Sequence, residues 1–345
     1  MTDTPDREQI AGLLHSSGIA PDITADDLSV LSTKGISHDH WRIGGSGLVL
    51  RLPRMNQWGL DAREALTYQQ TAFQRATRSG HTPDCHAILP PSLALPRGAL
   101  VVDEIIGRAP ELPDDLALIA DALAALHLMP NPEPNAFAPL QVHRNPVSST
   151  LQVIEEQAVF LSRADIDPDS EAAIREDLEW ARTFASRGEP DFSLCFVGTD
   201  THPGNFLIDE QGKAWFVDLE KSLYGAAPID LAHATLATST GWDPDCTGMP
   251  ESLDVQQFYQ RYLEAVGRDR AATLGPWLLP LRRLTWLRTI TWFARWRAQW
   301  SDSDHAAMRD DRMGKHVRGH IERSFAPETV ATCREDWLAP KTLTI

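Results

Sequence analysis

Apolar positions recur along this chain with two different spacings, and the change of spacing divides it. Ile10, Leu13 and Leu14 share one side of a helix expected over 6–17. Strand-length apolar runs follow. Leu28-Ser29-Val30-Leu31-Ser32 begins one, and His40-Trp41-Arg42-Ile43 leads into a turn at Gly44-Gly45-Ser46-Gly47. Leu48-Val49-Leu50-Arg51-Leu52 comes next. A helix is expected over about 61–77, and Ala99-Leu100-Val101-Val102 reads as a buried strand. Beyond residue 107 long helical patterns dominate. Leu116, Ile119, Ala120, Leu123 and Leu126 form the apolar stripe of a helix over 114–128, and 148–187 is mostly helical. After Asp230 the helical pattern persists to about residue 325. Strands first and helices afterwards predict an α+β chain of two lobes, 1–107 and 108–345.

One stretch of the second lobe breaks the helical pattern. Phe206-Leu207-Ile208 and Ala214-Trp215-Phe216-Val217 are short apolar runs separated by Asp209-Glu210-Gln211-Gly212-Lys213, which is turn chemistry. Two such runs make an antiparallel hairpin. The start of the first then lies beside the end of the second, so Asn205 and Asp218 become neighbours. An amide oxygen beside a carboxylate is a hard-oxygen site of the kind Mg²⁺ takes when substrate phosphates complete its shell. Asp200 stands just upstream in a loop, where it can reach a substrate hydroxyl as a base. Taken singly, Asp200 and Asn205 are also ordinary turn residues; the ordered set carries the chemical reading.

Three segments in order resemble the aminoglycoside phosphotransferase and choline kinase superfamily, the small-molecule branch of the protein-kinase-like fold. Asp200-Thr201-His202-Pro203-Gly204-Asn205 matches the second part of that family's catalytic loop, Asp218-Leu219-Glu220 its metal motif, and Gly225-Ala226-Ala227-Pro228-Ile229-Asp230-Leu231-Ala232 its helix start. The resemblance implies a bilobal fold with an antiparallel-sheet N-lobe and a mainly helical C-lobe. It implies Asp200 as catalytic base and Asn205 and Asp218 as Mg²⁺ ligands. Asp230 would cap a helix and brace the loop, with His202 a further brace. Glu220 would hold a second metal or a substrate amine, or remain a solvated charge. The chain departs from the family at Gly198-Thr199, where His-Gly is usual, so the loop must be held differently.

In the first lobe the same resemblance places a nucleotide loop at Lys34-Gly35-Ile36-Ser37-His38, with backbone N–H groups and the Ser37 hydroxyl toward phosphate. Gly44-Gly45-Ser46-Gly47 is the richer glycine run but reads as a hairpin turn. Arg51 is the one charge within an apolar strand. It stands where the family keeps its phosphate-holding cation, with Glu64 the expected partner; otherwise it is an edge-strand arginine reaching solvent. Asp103-Glu104-Ile105-Ile106-Gly107 resembles the hinge whose backbone binds adenine, which points to Asp103 and Ile105.

Composition narrows the partners. The 345 residues carry a formal charge of −16, which argues against a nucleic-acid binder and would favour a cationic substrate. Cys85, Cys195, Cys246 and Cys333 show no metal or redox spacing, and no apolar run is long enough to span a bilayer. The N-terminus lacks signal-peptide character, so a reducing cytoplasm is expected. Trp286, Trp292, Trp296 and Trp300 occupy roughly a third of one helix's circumference. They form a core stripe or an aromatic wall for a quaternary amine. The arginines between them either pair with the acidic remainder or hold an anionic substrate. The expected activity is transfer of a phosphoryl group from ATP or GTP to a hydroxyl of a small molecule. A choline- or amino-alcohol-type kinase is the alternative within that class, and a non-catalytic nucleotide-binding switch the alternative outside it.

Overall fold

A computed structural model describes residues 6–31, 37–55, 58–299 and 312–339. The chain forms two units. One comprises Met1–Ile106 with Ala138–Leu140, the other Gly107–Phe137 with Gln141–Ile345.

The first unit opens with α1 (Arg7–Ser16), whose N-cap Asp6 accepts the Gln9 N–H at 2.7 Å. Next come β1 (Leu28–Val30), β2 (His38–Ile43), β3 (Leu48–Pro53), α2 (Ala62–Ala76), β4 (Cys85–Leu89) and β5 (Ala99–Asp103). The five strands make one antiparallel sheet in the order β1-β2-β3-β5-β4. Ile43 pairs with Leu48, so residues 44–47 are the hairpin turn that the glycines predict. Gly45 and Gly47 have φ of +71° and +70°, and a Cβ on Gly44 would meet the Asp27 carbonyl oxygen at 2.8 Å. Trp41, Ile43, Leu50, Leu52 and Val101 pack with Ile10 and Leu14 of α1 into a core. Each such side chain contributes about 1.5–3 kcal/mol. On β3, Val49, Leu50, Arg51 and Leu52 are all buried. A strand covered on both faces loses the alternation of a half-exposed one, which is why its sequence is almost wholly apolar.

The second unit holds α3 (Leu116–His127), α4 (Pro146–Ala158) and α5 (Pro168–Ala185), then β6 (Cys195–Val197), β7 (Phe206–Ile208), β8 (Ala214–Phe216) and β9 (Leu223–Gly225). α6 (Ala227–Thr235), α7 (Ala237–Thr240), α8 (Ser252–Val266), α9 (Arg268–Ala298), α10 (Arg312–Ser324) and α11 (Pro327–Leu338) follow. The strands form two antiparallel ribbons, β6 with β9 and β7 with β8. α9 is the spine of this unit. Its Leu284, Trp286, Leu287, Ile290 and Phe293 are buried among Ile154, Ile174, Val317 and Ile321 from the surrounding helices. Trp286 is fully buried with its ring 5.4 Å from that of Trp337, whereas Trp292 and Trp296 are half-buried and stack on each other at 6.0 Å. The stripe is therefore core at one end and accessible further along. Trp300 lies outside the described residues.

Candidate active site

The loop from Gly198 to Asn205 joins β6 to β7, and α6 fastens it. The Asp230 carboxylate accepts the N–H groups of Gly198 at 2.7 Å and Thr199 at 2.8 Å, and the Asp230 carbonyl accepts the Thr201 hydroxyl at 2.8 Å. Asp230 is fully buried, and so is its next partner. His127 Nε2 lies 3.2 Å from Asp230 Oδ2, and His127 Nδ1 lies 2.9 Å from the Tyr262 hydroxyl. A proton on Nε2 satisfies both, with imidazole donating to the carboxylate and accepting from the phenol. The expected brace is present; the expected cap is not. α6 starts at Ala227 behind Ala226, which offers no side-chain oxygen, and Asp230 sits inside the first turn with its carboxylate turned to the loop.

This bracing accounts for the departure at 198–199. A Cβ at Gly198 would lie 2.7 Å from the Phe216 ring and 2.8 Å from Thr201 Cγ2, so no larger residue fits without moving them. Thr199 has φ of +59°, a left-handed conformation that ordinarily favours glycine. Its hydroxyl donates to the Lys221 carbonyl at 2.9 Å and its own carbonyl accepts from Arg288 Nη2 at 3.0 Å. A side chain and a distant arginine thus hold the turn.

The loop presents Asp200. Oδ2 lies 2.6 Å from Lys221 Nζ, and Oδ1 lies 3.8 Å from His233 Nε2. Burial alone would raise this carboxyl, but the charge of Lys221 and the rings of His202 and His233 hold it well below the usual carboxylate range. Burial lowers Lys221 in its turn, and Asp200, Glu220 and Asp218 outweigh that and keep it protonated. His233 is pushed down to about 3, mainly by burial, and stays neutral. His202 is lowered for the same first reason. Its ring is buried, 6.3 Å from that of His233.

Asn205 and Asp218 meet through the hairpin. Phe206 pairs with Phe216, and the Val217 N–H donates to the Asn205 carbonyl at 2.9 Å, which sets Asp218 one residue beyond. Asn205 Nδ2 donates to the Asp200 carbonyl at 2.7 Å. That bond fixes the amide and leaves Oδ1 without a protein partner among the described residues. An uncommitted amide oxygen and, one residue beyond the hairpin pairing, a half-buried carboxylate supply hard oxygens of the kind Mg²⁺ takes. Glu220 is buried, which removes the solvated-charge reading.

The first-unit residues singled out by sequence have varied places. Arg51 is 3 % exposed, with its guanidinium 5.4 Å from the Phe73 ring centre, so it is no edge-strand arginine reaching solvent. Glu64 does not pair with it. Glu64 is exposed at the start of α2, where Oε2 accepts the Asp61 N–H at 3.1 Å and Asp61 caps the helix in return. A residue in the first turn is drawn to unsatisfied N–H groups before it can reach a sheet. The α2 polar residue that does turn inward is Gln69, 3.1 Å from His38 Nε2. Ser37 is buried, and its carbonyl accepts the Arg54 N–H at 2.7 Å; Lys34, Gly35 and Ile36 lie outside the described residues. The Asp103 carboxylate accepts from the Asp84 N–H at 2.8 Å and lies 2.6 Å from His86 Nε2. Ile105, just past β5, has no backbone partner among the described residues.

Residues 31–275 match the phosphotransferase enzyme family. The chain belongs to the phosphotransferase enzyme family. Among solved structures, a choline/ethanolamine kinase family protein from Mesorhizobium loti matches at 18 % identity and a TM-score of 0.60, covering 94 % of this chain and 98 % of that one. The ethanolamine kinase of Plasmodium vivax matches at 14 % identity and 0.60, covering 96 % and 98 %. A spectinomycin phosphotransferase in complex with ADP and spectinomycin matches at 14 % identity and 0.58, covering 93 % and 98 %. No curated protein matches in sequence. At these identities the likeness is one of fold, and the fold is the α+β, protein-kinase-like one that the sequence led us to expect. Within this phosphotransferase-family chain, sequence reasoning missed Lys221, His233 and Arg288. Lys221 had a faint signal as a cation directly after Asp218-Leu219-Glu220. Arg288 had none, since it reaches the loop from α9.

Proposed function

We propose that this chain transfers the γ-phosphoryl group of ATP or GTP to a hydroxyl of a small molecule. The observation that carries the reading is Asp200, held ionised on a braced loop beside the Asn205–Asp218 pair. Asp200 accepts the hydroxyl proton and aims the oxygen. Lys221 fixes the carboxylate and adds positive charge where the transferred group arrives. Asn205 Oδ1 and Asp218 would hold Mg²⁺, which when bound neutralises charge on the phosphates. Arg51 and Ser37 are assigned to the nucleotide phosphates, and the Asp103 and Ile105 backbone to its base. Glu64 is left with its capping role.

A coupled assay of ADP or GDP release across a panel of hydroxylated metabolites tests this, with Asp200→Asn as control. Acceptor-dependent release that the control abolishes is expected. Nucleotide binding without transfer to any acceptor would refute the reading and assign the chain to nucleotide-binding switches. The half-buried Trp292 and Trp296, with Trp242 packed 5.6 Å from Trp292, favour a second reading in which the acceptor is a choline-type amino alcohol.

A further inference from the structure

The buried arginines of α9 differ in one respect. Arg282 pairs with Asp336 at 2.7 Å, and Arg283 pairs with Asp177. Arg288 has no carboxylate at ion-pair distance among the described residues. Its one protein acceptor there is the Thr199 carbonyl, 3.0 Å from Nη2. Nε and Nη1 remain without a protein acceptor, on a half-buried side chain that abuts the residue before the catalytic Asp200. A guanidinium with no carboxylate at ion-pair distance in a partly desolvated place gains from an anionic ligand without giving up a protein partner.

The charges that act on Arg288 can also be named. Lys221 is held by the Asp200 carboxylate, and the charges of Glu220 and Asp218 also act on it. The charge of Arg288 is coupled to Asp200 and Asp230, with burial as the larger influence, and it also acts on His143. With His233 neutral, the cations acting on Asp200 are Lys221 and Arg288, and Lys221 is already engaged by the Asp200 carboxylate.

We infer that Arg288 is a specificity-determining residue that binds a carboxylate or phosphate group of the acceptor, so that the acceptor is an anionic hydroxy compound rather than an amino alcohol or a polycationic sugar. The inference rests on the phosphotransfer reading for the place of the reacting hydroxyl. Thr199 and Asp200 are consecutive, so the anionic group and the hydroxyl belong to one small molecule. The planar fork of arginine suits both a carboxylate and a phosphate bidentately. The overall negative charge of the chain does not oppose this, since local charges within a screening length decide what enters a site.

Three matched three-carbon compounds, each with a vicinal diol, provide the test: glycerate, glycerol and 3-aminopropane-1,2-diol, with inorganic phosphate as competitor. Their binding to the full chain is followed by saturation-transfer NMR in the wild type, R288Q and R288K, with melting temperature and nucleotide binding as checks of folding. We expect glycerate to bind at least about tenfold better than the other two and to lose about 100-fold in folded R288Q, the size of one bidentate charge-assisted contact. Displacement by phosphate identifies a phosphoryl-bearing acceptor as equally suited; its absence assigns the site to carboxylates. Equal binding of all three compounds, no detectable glycerate contact, or glycerate binding that survives R288Q would overturn the inference. If R288Q does not fold, R288K decides: weaker glycerate binding supports it, and wild-type binding overturns it. Glycerate held through Arg288 without transfer to any panel member sinks the phosphotransfer reading and leaves the anion site. Preferred transfer to neutral or cationic acceptors does the reverse.

Discussion

Lys221 Nζ lies 2.6 Å from Asp200 Oδ2, and the Lys221 carbonyl accepts the hydroxyl of Thr199, the residue before that aspartate. One residue thus holds the candidate base by its side chain and the loop by its backbone. Substituting Lys221→Met keeps the backbone bond and removes the charge. The expected outcome is a fall in kcat of about 100-fold with the nucleotide KM nearly unchanged, against at least about 1,000-fold for Asp200→Asn. Steady-state kinetics on both variants check this; equal nucleotide KM increases would point to a binding role instead.

Asp230 joins the loop to the core. Asp230→Ala strands the buried N–H groups of Gly198 and Thr199 and leaves His127 facing a void. A loss of about 3–5 kcal/mol is expected. Denaturant unfolding measures it, and an unchanged midpoint would show that the brace is dispensable.

Restoring the family's residues at 198 and 199 should harm this chain. Gly198→His drives a side chain into Phe216 and Thr201, with an overpacking cost of about 1–3 kcal/mol. Thr199→Gly relieves a left-handed backbone worth about 1 kcal/mol and loses one hydrogen bond of similar size, so its net effect lies near zero. A double variant that melts above the wild type would contradict both estimates.

Stability should fall with acid through His320. This ring is buried between Phe293 and Trp242, and Nε2 lies 2.9 Å from the Thr238 carbonyl. Burial pushes it down to about 4, against the Thr238 bond and with help from Arg323, His316 and His202. The folded state therefore binds the proton less readily than the unfolded one. The contribution is complete above the ordinary histidine value of about 6.5 and is lost as pH falls through about 4, on the order of 3 kcal/mol in all. Unfolding free energies between pH 7 and 4 measure the slope, and His320→Gln should flatten it.

The hairpin shows how far local sequence reaches. Asn205, the turn at 209–213 and Asp218 are close in sequence, so strand pairing alone brings the metal-ligand candidates together. The same holds for the glycine turn before β3 and for the helix stripes. Glu64 shows where locality misleads. It lies at a plausible distance from Arg51 in sequence, yet unsatisfied N–H groups at its own helix end hold it first. Gly198-Thr199 was visible as a departure, while its remedy was not, because the remedy comes from α6 and α9.

Periodicity and short-range pairing along the chain determined the two-part α+β order and the nearness of Asn205 to Asp218, while the protein-kinase-like fold and the candidate role of Asp200 were legible through the resemblance of three short motifs. Tertiary structure alone decided the charge around the base. Lys221 lies between β8 and β9, His233 on α6 and Arg288 on α9, up to 88 positions from Asp200 in number, and only the packing of these separate segments around the loop turns them toward it. Electrostatics acts through space, and a chain records proximity only along itself.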